Sequence, residues 1–421
     1  MGEIAPTSPV IEPKPPSPEI KPVPLNPEPK IFRPNVGVTI THHLPDTDYS
    51  WLSLEKDGGF AKTTEKLVKD GITDQRFDIR WNRVQPDNNQ PPDEHYLERS
   101  KTIVEIGHEK GLKNIIVLSS APAWALELAR TNPAAFSESY AKYVDTVFSA
   151  LAKNGGIPPA EIQIFNELNM RNYTPAELLP NLDSCISILR TKSEKYFGEK
   201  IPLVATLQVS SPLSLTSIPS FMEGAIPFIK KHQDLLAKFD QINVDYYPGV
   251  WHQPMKSIKK HLKHIDYYIK ALHYRNDPEK AQTLQTPLDV FRTFGNMELL
   301  EQSLDALQPL AQKGVKIGIG EVGVPSIAPF ETETMMAEHQ KLQTLGTAIV
   351  LRKLQPIIEK YHLTGVGVYS LMDEPEREAG AFNWGLYDKD GKEKHIVGKF
   401  AELLSRIRPT PRESLEDIAQ G

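Results

Sequence analysis

Two glutamates close two apolar segments of this chain. Glu167 ends Ile162-Gln163-Ile164-Phe165-Asn166-Glu167, and Glu321 ends Ile317-Gly318-Ile319-Gly320-Glu321. A carboxylate held at the exit of a buried strand is desolvated, at a cost that packing alone does not justify. Two such groups facing one cleft can cleave a glycosidic bond, one as acid/base and one as nucleophile. The condition is that the strands between them bring both to one rim; otherwise they are two exposed loop carboxylates.

From Ile31 onward, short apolar runs alternate with longer amphipathic stretches, the pattern of βαβ units around a parallel sheet. Eight strand candidates follow: residues 35–40, 74–79, 114–119, 161–165, 202–207, 241–246, 316–320 and 364–370. Runs such as Ile115-Ile116-Val117-Leu118 are apolar throughout, as expected of strands covered on both faces. Helical spacing marks 96–110, 133–153, 175–196, 255–274 and 334–361, and a last helix is expected over 393–407. Eight repeats predict an α/β chain folded as a (β/α)8 TIM barrel over 32–408. The segment 276–310 exceeds one crossover helix and predicts an extra helix near the rim.

Ahead of the barrel, residues 1–31 form a proline-rich arm that should be disordered, and 409–421 read as a polar tail. The start lacks the basic and apolar regions of a signal peptide. The reading is a secreted or cell-surface protein whose export signal or lipid anchor is missing, with Met1-Gly2 as a cloning scar; a cytoplasmic protein with a proline-rich arm stays open. The 421 residues are 39% hydrophobic and 24% charged, with net charge −6, so nothing electrostatic points to nucleic acid as partner. No membrane-spanning segment of about 18–20 apolar residues occurs. The single cysteine, Cys185, reads as a small buried hydrophobe and allows no intrachain disulfide or thiolate metal cluster. Oligomeric state is not legible.

In such a barrel, active residues stand where strands exit at the C-terminal face. There the chain places His42 and His43 after strand one, Arg76 and Trp81 at strand two, and Trp124 after strand three. Asn166-Glu167 follows strand four, Tyr246, Tyr247 and Trp251 strand six, Glu321 strand seven, and Tyr369 strand eight. Aromatic faces stack on sugar rings and carboxylates bind hydroxyls, so the implied partner is an oligo- or polysaccharide.

Asn166-Glu167 on strand four, Glu321 on strand seven, Arg76 on strand two and the strand-six tyrosine together resemble the retaining glycoside hydrolases of clan A, the 4/7 barrel superfamily. The likeness spans roughly Asn35 to Phe400. Phe165-Asn166-Glu167-Leu168-Asn169 is similar to the Asn-Glu-Pro-Asn stretch of several such families, with Leu168 in place of proline. Tyr246-Tyr247-Pro248 resembles the strand-six segment of family 53 galactanases, and Phe382–Asp388 the region after strand eight in families 1 and 39. The resemblance implies that Glu167 is the acid/base and Glu321 the nucleophile. It further implies that Asn166 holds the sugar 2-hydroxyl and that Arg76 and Tyr247 donate to Glu321. It implies no cofactor. A tryptophan of many relatives is replaced here by Tyr369.

Other readings stand beside these. Arg76 could pair with Asp78 instead. Trp124, Trp251 and Trp384 could be sugar platforms or packing. His42 and His43 follow strand one, where the resemblance implies a residue that binds sugar hydroxyls, His42 being the candidate; as metal ligands they read less well than as satisfied polar side chains. Period-two alternation favours Tyr247 over Tyr246 as the inward tyrosine. Gly318-Ile319-Gly320-Glu321-Val322-Gly323 matches G-x-G-x-x-G, but two prolines follow where a helix would have to begin, so the glycines should serve close strand packing instead. Strand five ends in Leu207-Gln208 without an acid, which argues against a metal site built on successive strands. The expectation is therefore a retaining β-glycoside hydrolase without metal. The alternatives are a carbohydrate-binding barrel that has lost turnover, or a transglycosylase using the same site.

Overall fold

The computed structural model describes residues 34–40, 52–55, 57–171, 173–209, 224–248, 297–324, 326–327, 333–373, 382–388, 390–394 and 396–405. The arm 1–31, the tail 409–421, His42, His43, Trp251, the stretch 255–274 and the loop residues 249–256 and 374–381 lie outside them. Eight parallel strands close on themselves: β1 (Asn35–Thr39), β2 (Asp74–Arg80), β3 (Lys113–Ser119), β4 (Glu161–Ile164), β5 (Leu203–Gln208), β6 (Gln241–Tyr246), β7 (Lys316–Val322) and β9 (Gly365–Tyr369). Between the last two, β8 (Ser326–Ile327) pairs antiparallel with β10 (Phe382–Asn383) as a separate ribbon. The closed barrel expected from the eight repeats is the observed fold.

Helices on the outside start and stop where local chemistry dictates. Asn132 caps the helix Pro133–Ala152 by accepting from the Ala135 amide at 3.2 Å, and Pro133 suits a first turn that needs no N–H. Its buried face carries Phe136, Tyr140, Tyr143, Val144, Val147, Phe148 and Leu151 at helical spacing. Full burial of such a side chain contributes about 1.5–3 kcal/mol. Asp93 likewise caps Glu94–Glu109 through the Tyr96 amide at 2.9 Å.

Two helices differ from the sequence reading. The stretch expected from 175 begins its α-helix only at Leu182, because Pro180 sits in a short 3-10 turn over Leu179–Asn181 that starts it. The last helix, expected over 393–407, is described only as Phe400–Ser405. Lys394 is held upstream instead, in a buried 2.6 Å ion pair with Asp373. Of the extra segment after strand six, the helix Glu298–Ala311 is described and packs beside Ala225–Lys231.

Along β2 the alternation puts Asp74, Arg76 and Asp78 on the barrel side and Gln75, Phe77 and Ile79 toward the helices, where Gln75 donates to Ile103 O. Arg76 reaches across the interior to Glu321, whereas Phe77 and Ile79 are fully buried in the hydrophobic core. The barrel thus encloses polar side chains, and its apolar core lies between strands and helices. That division leaves room for a buried polar constellation without opening a hole in the apolar core.

Candidate active site

β4 stops at Ile164, one residue earlier than the sequence suggested, because Phe165 takes φ 55° and Glu167 φ 47°. Left-handed backbone in non-glycine residues costs of order 1–3 kcal/mol each and persists only where the surroundings over-determine it. Here they do. The Phe165 amide donates to Leu118 O at 2.9 Å and the Leu168 amide to Thr206 O at 2.9 Å. The Glu167 amide donates to Thr206 Oγ1 at 2.8 Å, and Thr174 Oγ1 donates to Asn166 O at 2.7 Å. This corner delivers Asn166 and Glu167 side by side to the rim, both buried.

Arg76 ties the site together. Its Nη1 donates to Glu321 Oε1 at 2.5 Å, its Nη2 to Asn166 Oδ1 at 2.9 Å, and its Nε to Gln163 Oε1 at 2.8 Å. Asp78, the alternative partner, accepts from Ser119 Oγ at 2.7 Å. Burial alone would disfavour the guanidinium, but the Glu321 carboxylate beside it outweighs that and holds Arg76 protonated. Gln163 and Thr206 also donate to Asn166 Oδ1, at 2.9 and 3.2 Å. With its oxygen saturated, the Asn166 amide nitrogen is the end that can serve a ligand hydroxyl.

Glu321 does not stand past the end of β7, as expected, but within it. Gly318 and Gly320 face the interior, where a Cβ would meet Asn243 Oδ1 at 2.5 Å and Asp245 Oδ1 at 2.4 Å respectively. Strict alternation would therefore turn Glu321 outward. The β6–β7 register shifts between Val244 and Asp245, leaving Asp245 opposite Glu321. This bulge re-aims the carboxylate inward. The glycines are there for close approach: a Cβ at Gly367 would lie 1.9 Å from Gly320 O. The G-x-G-x-x-G match thus lies along a barrel strand and its exit, not at a helix start.

Tyr247 Oη donates to Glu321 Oε2, so both oxygens of that carboxylate are held. Burial and then the Glu321 charge push the Tyr247 phenol well above its usual range, so it remains a donor. Tyr246 is fully buried and belongs to the core.

Glu167, Asp245 and Glu321 each offer an oxygen within 4.8 Å of the other two. At an effective dielectric of about 20, two unit charges at that distance repel by roughly 3–4 kcal/mol. Burial first, then the Glu321 and Glu167 charges, push the Asp245 carboxyl well above the usual carboxylate range, and Arg76 offsets only part of this. Three acids this close have the spacing of a divalent-cation site. However, both Glu321 oxygens already accept from protein donors, and the guanidinium at 2.5 Å repels a cation. The arrangement suits protons better than a metal.

The aromatic residues divide. Tyr247, Tyr369 and Trp384 form a contiguous group beside Glu321, with Tyr247 edge-on to Tyr369 at 5.7 Å and to Trp384 at 4.9 Å. Trp124 packs edge-on against Trp81 at 5.5 Å, and Trp81 stacks on Tyr143 at 5.0 Å. That places Trp124 on an aromatic cluster shared with the core. His42 and Trp251 lie outside the described residues.

Three residues of the site were not singled out from the sequence: Gln163, Thr206 and Asp245. Each is a polar side chain on a barrel strand. Asp245 is two residues from Tyr247, and Thr206 pairs with Asn243 across β5 and β6.

The fold and the rim together define a class: a closed (β/α)8 barrel with a buried carboxyl pair at the C-terminal ends of β4 and β7. No protein-family model matches the chain, and no curated protein does. Solved structures with the same fold include a GH5_18 protein from Bifidobacterium longum subsp. infantis, at 15% identity over 90% of this chain and 80% of that one, TM-score 0.53. A family 1 β-glucosidase from Thermotoga maritima is similar at 13% identity over 90% and 98%, TM-score 0.56. A GH5_18 variant from Bifidobacterium longum subsp. longum, solved in complex with Manβ1-4GlcNAc, is similar at 15% identity over 89% and 79%, TM-score 0.52. At such identities the likeness is one of fold. No helix among the described residues is long and apolar enough to cross a membrane.

Proposed function

We propose that this protein is a retaining β-glycoside hydrolase acting on an oligo- or polysaccharide by double displacement. The observation that carries the reading is the pair itself: an oxygen of Glu167 lies within 4.8 Å of an oxygen of Glu321. Retaining enzymes hold their carboxyl groups about 5–5.5 Å apart, whereas inverting ones need about 6.5–9.5 Å to admit a water. The unequal neighbours support the division of labour. Glu321, held by Arg76 and Tyr247, is the oriented anion that attacks the anomeric carbon. Glu167 gives its proton to the departing oxygen, then takes one from the water that hydrolyses the glycosyl ester. On this reading the Asn166 amide nitrogen donates to a substrate hydroxyl beside the nucleophile, and the three donors on its oxygen support that orientation. Tyr369 and Trp384 offer apolar surface to a sugar ring.

Incubation with 2-deoxy-2-fluoro aryl β-glycosides tests the reading. Mass spectrometry should find one glycosyl adduct, on the peptide containing Glu321, and none in Glu321→Gln. Tight sugar binding without an adduct would instead identify a binding barrel. Product analysis with added acceptor sugars separates hydrolysis from transglycosylation.

A further inference from the structure

Asp245 is the one carboxyl of the site that the two-glutamate mechanism leaves unused. It is completely buried, on β6, directly opposite Glu321 in the strand pairing. Neither of its oxygens meets a donor at normal hydrogen-bond geometry, although the Glu321 backbone N–H lies near enough to favour the anion somewhat. The charged and titratable groups facing it are Glu321 on β7, Glu167 past β4, Arg76 on β2 and Tyr247 at the end of its own strand. From β5 it is paired with Gln208, which is uncharged. One guanidinium cannot neutralise three carboxylates, and Arg76 is already bonded to Glu321.

We propose that Asp245 is a positioning residue that keeps its proton throughout turnover and offers its O–H to whichever glutamate carries the charge. This rests on the glycosidase reading. In the first step Glu321 bonds to the anomeric carbon, the glycosidic C–O bond breaks, and the Glu167 proton leaves with the departing oxygen. The negative charge thereby moves from Glu321 to Glu167. Asp245 lies within 4.8 Å of an oxygen on each, so its O–H can turn, directly or through one water, to follow that charge. Water supplies the proton and hydroxide equivalent that reverse the shift in the second step, and Asp245 neither gains nor loses a proton. A neutral acid stabilises both states; an ionised one would oppose both.

The first test does not need turnover. Infrared difference spectra with carboxyl-labelled aspartate should show the carbonyl stretch of a neutral acid at neutral pH, absent in Asp245→Asn. The band should shift in Glu321→Gln, where the acceptor has lost its charge. A carboxylate band for Asp245 at neutral pH overturns the proposal, even if the protein proves to be no glycosidase. In the second test, Asp245→Val should lose about 10–100-fold in kcat, with KM little changed, for want of a donor to a charged group. Asp245→Asn, which is neutral and retains N–H donors, should recover about tenfold of that loss. The acid limb of the pH profile should stay in place in Asp245→Asn. Equal activity of the two folded variants, or an acid limb displaced by a unit, would refute the proposed role.

Discussion

Arg76 and Glu321 are 245 residues apart in sequence and joined across the barrel by a 2.5 Å ion pair, with both side chains at least 95% buried. The same guanidinium holds Gln163 and Asn166, so one side chain fixes the orientation of groups on β4 and β7 together. Breaking a buried pair by removing one partner typically costs about 3–5 kcal/mol, because the other charge is left uncompensated. Arg76→Met should therefore reduce kcat/KM by at least about a hundredfold if even 3 kcal/mol appears in the transition state. Arg76→Lys should recover little, since an ammonium cannot fork to three acceptors. Steady-state kinetics on folded variants decide this, and near-normal activity in the lysine variant would show that the fork of Arg76 does not orient the site.

The two glutamates should fail differently. Glu321→Gln is expected to abolish turnover on every substrate. Glu167→Ala should still form the glycosyl intermediate from substrates with activated leaving groups, which need no protonation. It should also be accelerated by azide, giving a β-glycosyl azide. Equal losses on activated and unactivated substrates in Glu167→Ala would count against the assigned roles.

Tyr247→Phe removes one of the donors to Glu321 while keeping the ring that packs on Tyr369 and Trp384. A hydrogen bond to a charged group is worth about 1.5–3 kcal/mol, so kcat should fall about 10–100-fold with modest change in thermal stability. A variant with wild-type kcat would show that the phenol O–H is dispensable.

At the opposite end of the barrel, burial and then the Asp74 charge raise the pKa of Glu161 at the start of β4 from 4.5 to about 7, against the attraction of Lys113 and Lys316. Between those values the unfolded chain has released this proton and the folded protein has not. The group therefore lowers stability progressively as pH rises from about 4.5 to 7, and by a constant amount above that. Glu161→Gln should gain on wild type across the same window, by at most about 3 kcal/mol. Denaturant melts at pH 4 and pH 8 measure the difference; a gain independent of pH would contradict the burial argument.

The buried Lys394–Asp373 pair offers another stability test. Burial disfavours both charges, lowering the lysine pKa and raising that of the aspartate. Lys394→Met should cost about 3–5 kcal/mol by stranding Asp373, and the double variant with Asp373→Leu should restore part of it. Additive losses in the double variant would mean that the two side chains act independently.

Much of this was legible in the residues and some was not, for physical reasons. Barrel strands are covered on both faces and announce themselves as apolar runs, so all eight could be read, most within a residue or two of their ends. Asn166, Glu167 and Arg76 interrupt apolar surroundings and stood out. Gln163 and Thr206 did not, because an uncharged polar residue inside a strand gives a weak signal until its partner across the barrel is known. The end of β4 was missed because the left-handed backbone of Phe165 and Glu167 has no glycine to mark it. Trp124 shows why a rim tryptophan reads two ways in sequence, as platform or as packing: here it sits edge-on to Trp81 and is still half-buried.

The bulge on β7 gives this site a counting dependence. Side chains along a strand are even or odd, and Glu321 faces inward only because one surplus position has changed the parity after Gly320. Straightening β7 into unbroken register would keep each of these residues in the sequence yet send Glu321 to the helix side, while Arg76 kept its charge inside without a counter-ion. A search that scores residue identity would still find the motif complete. The loss would lie in the count.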